Sequence, residues 1–189
     1  MTEQFDPAYG VAEELSPGLR RIVAPNPSPM TFKGTNTYLL GTRDLAVIDP
    51  GPERAAHLQA ILDAVGQGQR VTHIFVTRSS FAWDDIVFTG DLVMGWASSL
   101  VSPPDGDLTD FMASCRRLRA RGAGVFHAGH GAPITAPMDR VTWLIDHRLS
   151  REAAILKALT KTQASTTDLA HVIYTDTPAS LLPAAKRNI

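Results

Sequence analysis

One cysteine, Cys115, stands among the 189 residues. A disulfide framework within the chain is excluded, and a reducing compartment is the expectation. Cys115 lies beside Met112 and Leu118 in a helical pattern and reads as a small core residue rather than a nucleophile. No apolar run approaches the roughly 20 residues a membrane-spanning helix needs. The N-terminus has no basic start followed by an apolar segment, so no secretory signal is read. A cytoplasmic protein that engages no membrane is expected. An excess of charge of one sign is lacking too: the net charge is −1, and without a basic block the field that nucleic-acid binding demands is not predicted. The densest basic run, Arg116, Arg117, Arg119 and Arg121, reads as the wet face and end of a helix, where cations suit the helix dipole. Repeats and low-complexity tracts are absent. Hydrophobic residues make up 44% of the chain, enough for a packed core in one domain with a small appendage.

What is present divides into strands and helices in alternation, an α/β or α+β chain. Residues 1–14 read as a loose polar arm and residues 19–24 as a strand. Pro25-Asn26-Pro27-Ser28-Pro29 is a loop, since each proline removes a donor. Residues 37–40 and 45–49 form a strand pair, and Asp49-Pro50-Gly51-Pro52 ends the second. A helix over about 54–65 follows, with Leu58, Ile61, Leu62 and Val65 at helical spacing. Val71-Thr72-His73-Ile74-Phe75-Val76-Thr77 reads as a buried strand. Residues 81–88 are a hairpin turning at Asp84-Asp85. Asp107 is a fitting N-cap for a helix to about residue 121, with Phe111, Met112, Cys115 and Leu118 as its apolar stripe. Residues 125–128 are a short strand. From Asp139 a long helix carries Val141, Leu144, Ile145, Leu149, Leu156 and Leu159 on one face. After polar residues 161–165, Thr166-Thr167-Asp168 caps a short helix through Tyr174, and Thr177-Pro178 starts another.

Four motifs in order carry the chemistry: Gly34-Thr35-Asn36-Thr37-Tyr38-Leu39-Leu40-Gly41, then Val47-Ile48-Asp49-Pro50-Gly51-Pro52, then Thr89-Gly90-Asp91, then Gly129-His130-Gly131. Together with the strand before Arg78, this order resembles the metallo-β-lactamase fold family, and within it the subgroup related to β-lactamase-like protein 2. The resemblance implies an αββα sandwich over residues 1–138 and a partial winged-helix-like helical domain over 139–189. It also implies a metal pair, in which Asp91 bridges two zinc ions and orients the attacking water while His130 holds one of them. Asp49 would lie beside the metals in a structural role, hydrogen-bonded to the adjacent loop.

The family's His-x-His-x-Asp-His loop has no counterpart here, and neither does its intermediate histidine. Where the strand should deliver them the chain reads Arg78-Ser79-Ser80, with no residue suited to a hairpin turn. A catalytic zinc needs three protein ligands, and Asp91 and His130 supply two. His57, His73, His127, His147 and His171 do not match family ligand positions. His73 and His127 read as sheet residues and His147-Arg148 as a helix-surface or interdomain hydrogen-bonding pair, while Asn36 and Tyr38 read as cleft or sheet residues without decisive chemistry. We expect a protein that carries a few tens of further residues between Thr77 and Phe81 and that continues past Ile189; an internal deletion is the alternative.

The resemblance implies a metal-dependent hydrolase that cleaves an ester, thioester or phosphodiester of a small molecule through a metal-activated water. A metal-free, non-catalytic binding protein is the alternative if the sequence is complete. An RNA-processing nuclease is a third reading, because the subgroup includes an endoribonuclease, and near-neutral charge argues against it.

Overall fold

The computed structural model describes residues 5–77, 80–102, 104, 106–160, 163–175, 177, 181–187 and 189. Arg78 and Ser79 of the junction, Lys161, the expected helix start at Pro178, and Asn188 lie outside the described residues. Two compact units emerge, Met1–Ala97 with Ala123–Thr135, and Ser98–Gly122 with Ala136–Ile189.

In the first unit β1 (Glu13–Ser16), β2 (Leu19–Val23), β3 (Asn36–Leu40), β4 (Asp44–Ile48) and β5 (Arg70–Phe75) form one sheet in chain order. Neighbours from β1 to β4 are antiparallel, and β5 runs parallel to β4. Helix α1 (Ala55–Asp63) makes the crossover that a parallel pair requires. Side chains alternate across the sheet with period two. Leu19, Tyr38, Leu40 and Ile48 on one face pack with Phe88, and Ile22, Leu39 and Val47 on the other pack with Ile61 of α1. Burying each of these large side chains contributes roughly 1.5–3 kcal/mol.

Phe88 belongs to a second sheet, β6 (Phe81–Trp83), β7 (Ile86–Gly90) and β8 (Val125–Ala128), with β6–β7 antiparallel and β7–β8 parallel. The expected hairpin is present. Asp84 takes the positive φ its two-residue turn demands, 52°. Asp85 accepts from the Gly124 N–H at 3.0 Å and so fixes the approach to β8. A file of rings runs between the sheets: Phe75 stacks on Phe81 at 5.0 Å, Phe81 meets Phe88 at 6.1 Å, and Phe88 meets Tyr38 edge-on at 5.1 Å.

Three expectations are corrected. The N-terminal arm is not loose over its whole length, because β1 pairs with β2 and Phe5 is buried under the Arg21 guanidinium. On α1 the buried positions are His57 and Ile61, whereas Leu58 and Leu62 face outward. β5, expected to be buried, is exposed at all six residues. The sheet ends at β5, and among the described residues no strand pairs with its outer edge. Its apolar composition belongs to a strand with a neighbour on one side only.

The second unit holds α2 (Leu108–Arg121), α3 (Pro137–Leu159), α4 (Thr166–Ile173) and α5 (Leu182–Lys186). α2 is capped as expected and buries Phe111, Met112, Cys115 and Leu118. Burial pushes the Cys115 thiol up to about 11. α3 begins at Pro137, two residues before the expected start, and buries Val141, Leu144 and Ile145, while Leu149, Leu156 and Leu159 stay exposed. The cap of α4 is Ser165 rather than the three residues after it, in a reciprocal capping box with Asp168. His147 stacks on Trp143 at 4.8 Å. Arg148 is buried, donates to the Ser99 carbonyl and lies over the Phe111 ring at 5.2 Å. No helix among the described residues is long and apolar enough to cross a membrane.

Asp107 accepts from the Asp110 N–H at 3.0 Å, so Asp107→Ala should lower stability by about 1 kcal/mol. The expected readout is a lower urea midpoint at unchanged slope.

Candidate functional site

The four sequence motifs lie far apart in the chain and meet in one cleft of the first unit. Its volume is 270 Å³, and its walls include Thr35, Asp49, Thr77, Asp91 and His130. Each wall is placed by a strand end. Asp49 follows β4, Thr77 follows β5, Asp91 follows β7 and His130 follows β8, so all four sit at the same end of the two sheets' parallel pairs.

His130 is held from three sides. Its Nδ1–H donates to the Gly34 carbonyl at 3.0 Å. That bond aims the other ring nitrogen, Nε2, at Asp91 Oδ1, 3.4 Å away. The turn carrying His130 is fixed by β3. The Asn36 side-chain amide donates to the carbonyls of Gly131 and Ala128 at 2.8 and 3.0 Å, and the Tyr38 hydroxyl donates to Ala128 at 2.6 Å. The Asn36 N–H donates to the Gly129 carbonyl at 2.7 Å. Asn36 and Tyr38 are thus the residues that position His130, a role their identity alone did not disclose. Burial raises the Tyr38 phenol far above its ordinary range and keeps it a neutral donor.

Asp49 adopts a positive φ of 52°, a conformation Asp tolerates better than most residues. Its two carboxylate oxygens accept from the Thr77 N–H at 2.7 Å and the Thr77 hydroxyl at 2.5 Å. Behind it, the Thr37 hydroxyl donates to the Asp49 carbonyl at 2.7 Å and therefore accepts from His57 Nε2–H at 2.9 Å. A Cβ on Gly51 would lie 2.6 Å from that His57 nitrogen, so the turn requires glycine. A Cβ on Gly90 would lie 2.2 Å from the Thr77 hydroxyl, so glycine also admits Thr77 to the cleft wall. His57 and Thr77 are contributors that sequence reasoning missed; a histidine one turn into a helix after Asp-Pro-Gly was the available signal for the first.

The donor set does not fit a metal pair. Asp91, 70% exposed, and His130 are two donors, and both oxygens of Asp49 are spent on Thr77. Among the described residues no group of three or more His, Cys, Asp or Glu side chains converges as metal ligands. Zinc needs at least three. His73 stays on exposed β5, stacked on Phe75 at 5.9 Å. His127 is buried between the rings of Tyr38 and Phe88 at 5.4 and 5.6 Å, and burial pushes it down to about 4. His171 lies on α4.

No family model matches the chain. A β-lactamase-like protein 2 homologue from Caenorhabditis elegans is 23% identical over 249 residues, spanning 94% of this chain and 83% of the relative. An atrochrysone carboxyl ACP thioesterase from Aspergillus fumigatus is 26% identical, spanning 90% and 74%. The worm alignment runs over 249 positions and this chain has 189 residues, so at least 60 of those positions are gaps in this chain. Among solved structures, a β-lactamase domain protein from Burkholderia ambifaria superposes with a TM-score of 0.80 at 15% identity, covering 97% of this chain and 87% of that one. A metallo-β-lactamase family protein from Thermus thermophilus gives 0.67 at 17% identity, covering 93% and 92%. The chain has the metallo-β-lactamase fold.

Asn36→Ala leaves the Ala128 and Gly131 carbonyls short of buried donors and should cost about 2 kcal/mol, measured as a loss in chemical unfolding free energy. His127 has its folded value near 4 against an ordinary 6.5. Between those values the unfolded chain binds a proton that the folded chain refuses, so stability falls as pH drops through that window and levels off below it, by roughly 3 kcal/mol in all. His127→Gln should flatten that slope in a pH series of unfolding curves.

Proposed function

We propose that the cleft is a hydrolase site for a small ester or thioester, of which this chain carries two metal ligands, Asp91 and His130, and lacks the rest. The observation that supports it most is the His130 arrangement. A carbonyl holds Nδ1–H, and Nε2 faces a carboxylate oxygen 3.4 Å away. A cation placed between them would take one ring nitrogen and one carboxylate oxygen as ligands, with the far side of the ring fixed by a backbone acceptor as in histidine metal sites. Thioesters are favoured over phosphodiesters because several relatives bear the name thioesterase and because the net charge of −1 offers nothing to a polyanion.

Two donors do not hold zinc in a catalytic geometry, so we derive no hydrolytic step. The second reading is a metal-free binding protein that holds a small carbonyl compound in the cleft without turnover, and what favours it is that no third ligand joins Asp91 and His130 among the described residues. The missing ligands would come from a segment between Thr77 and Phe81, where the fold places the end of β5 against the cleft.

Equilibrium dialysis should find less than one tightly held zinc per chain, and a model thioester should release thiol at the background rate. Two tightly held zinc ions, with thioester cleavage that Asp91→Ala abolishes, would overturn the reading that ligands are lacking. Insertion between Thr77 and Phe81 of a segment that carries further histidine and carboxylate ligands should raise zinc binding and start cleavage. A folded insertion variant that holds no zinc would overturn the reading of Asp91 and His130 as metal ligands.

A further inference from the structure

Among the described residues, three besides glycine take a positive φ: Phe32, Asp49 and Asp84. Asp84 needs it for a hairpin turn, and Asp49 lies in the cleft wall. Phe32, at 55°, is in neither position. A bulky side chain is strained there, and such strain persists only where the surroundings dictate it.

Those surroundings are specific. The Ser28 N–H donates to the Phe32 carbonyl at 3.3 Å, and the Gly34 N–H donates to the Thr31 carbonyl at 2.8 Å. Asn26 closes the loop. Its side chain accepts from the Thr35 N–H and donates to the Thr35 hydroxyl, both at 2.9 Å, and its carbonyl accepts from the Thr31 hydroxyl at 2.6 Å. The Phe32 ring stacks on Trp96 at 5.0 Å with the planes 15° apart, and on Phe5 at 6.3 Å with the planes 18° apart. Phe5 in turn meets the Arg21 guanidinium at 4.8 Å.

This run of flat groups ends at the two residues that face each other in the cleft. Arg21 donates to the carbonyl of Gly131, the neighbour of His130, at 3.4 Å. Trp96 closes the segment that opens with Asp91. The Asp91 carboxylate is 70% exposed, so its place depends on the backbone that carries it. In the middle of the run, Phe32 stands two residues before Gly34, whose carbonyl holds His130 Nδ1–H at 3.0 Å.

We propose that Phe32 is a positioning residue: its ring, stacked on Trp96, locks the loop that carries the Gly34 carbonyl to the segment that carries Asp91, and so fixes the spacing of His130 and Asp91. The positive φ turns the ring onto Trp96, and the stacking offsets the strain. The proposal rests on the reading of Asp91 and His130 as the working pair of the cleft, and it involves neither metal nor turnover.

Hydrogen exchange of the imidazole N–H groups tests it, followed by magnetic resonance of the whole chain with isotope-labelled histidine at one fixed pH. His130 Nδ1–H should exchange roughly fivefold faster in Phe32→Leu and in Trp96→Leu, the effect of losing one stacked pair. His57 Nε2–H, held by the Thr37 hydroxyl at 2.9 Å, is the internal reference and should not change; general loosening of the fold would speed both. Phe32→Tyr keeps the ring and should match the parent. Phe32→Asn suits a positive φ but has no ring, and should behave like Phe32→Leu. The nitrogen shift of His130 Nε2 should move in the variants that lose the stack and stay in Phe32→Tyr. Removing the stack from either end, and with or without the backbone strain, keeps the test open if one variant does not fold. Unchanged exchange in both leucine variants, equal acceleration at His57, or parent behaviour in Phe32→Asn would each overturn the proposal. Zinc enters none of these measurements, so such a failure leaves the reading of the cleft standing, and failure of zinc binding in the insertion variant leaves this proposal standing.

Discussion

From a fully buried amide, Asn36 donates to the carbonyls of Ala128 and Gly131, and on those bonds the geometry of the cleft depends. They tie a strand of the first sheet to the turn that follows the last strand of the second. The Tyr38 hydroxyl, two residues along on the same face, adds a third bond to the same turn. In an interior of low polarity, an unpaired carbonyl costs about 1–3 kcal/mol, so the turn has one conformation that satisfies it. His130 inherits its orientation from that constraint. The motif from Gly34 to Tyr38 contributes no reacting group; it builds the support for one.

The flanks of the junction between Thr77 and Phe81 are tied down independently. On the entering side β5 keeps its ladder with β4, and Thr77 is gripped by Asp49. On the leaving side Phe81 stacks on Phe75, and the hairpin that follows packs Phe88 into the shared core. Each sheet keeps its own pairing on its side of the junction.

Local patterns in the sequence anticipate much of this, and long-range ones do not. The hairpin at Asp84-Asp85, the cap at Asp107 and the stripe of α2 were legible because each rests on residues a few positions apart. The order of the four motifs was enough to indicate the fold, and the structure brings Asp91 and His130 into contact. The functions of Asn36 and Tyr38 were not legible, since their partners lie about ninety residues away. Helical spacing on α1 identified an apolar stripe but not which side faces the sheet. His57 occupies the buried side because Thr37 satisfies its ring, while Leu58 and Leu62 are left outside. Composition suggested that β5 was buried; burial depends on neighbours, and a strand's own residues do not reveal whether those neighbours exist.

Cys115 is the one thiol of the chain, it is fully buried, and burial holds it in the neutral form at physiological pH. Alkylating reagents attack thiolates, so the native protein is silent toward them. A cysteine placed on its surface would react alone, and a single spectroscopic label could be installed without first removing a native residue.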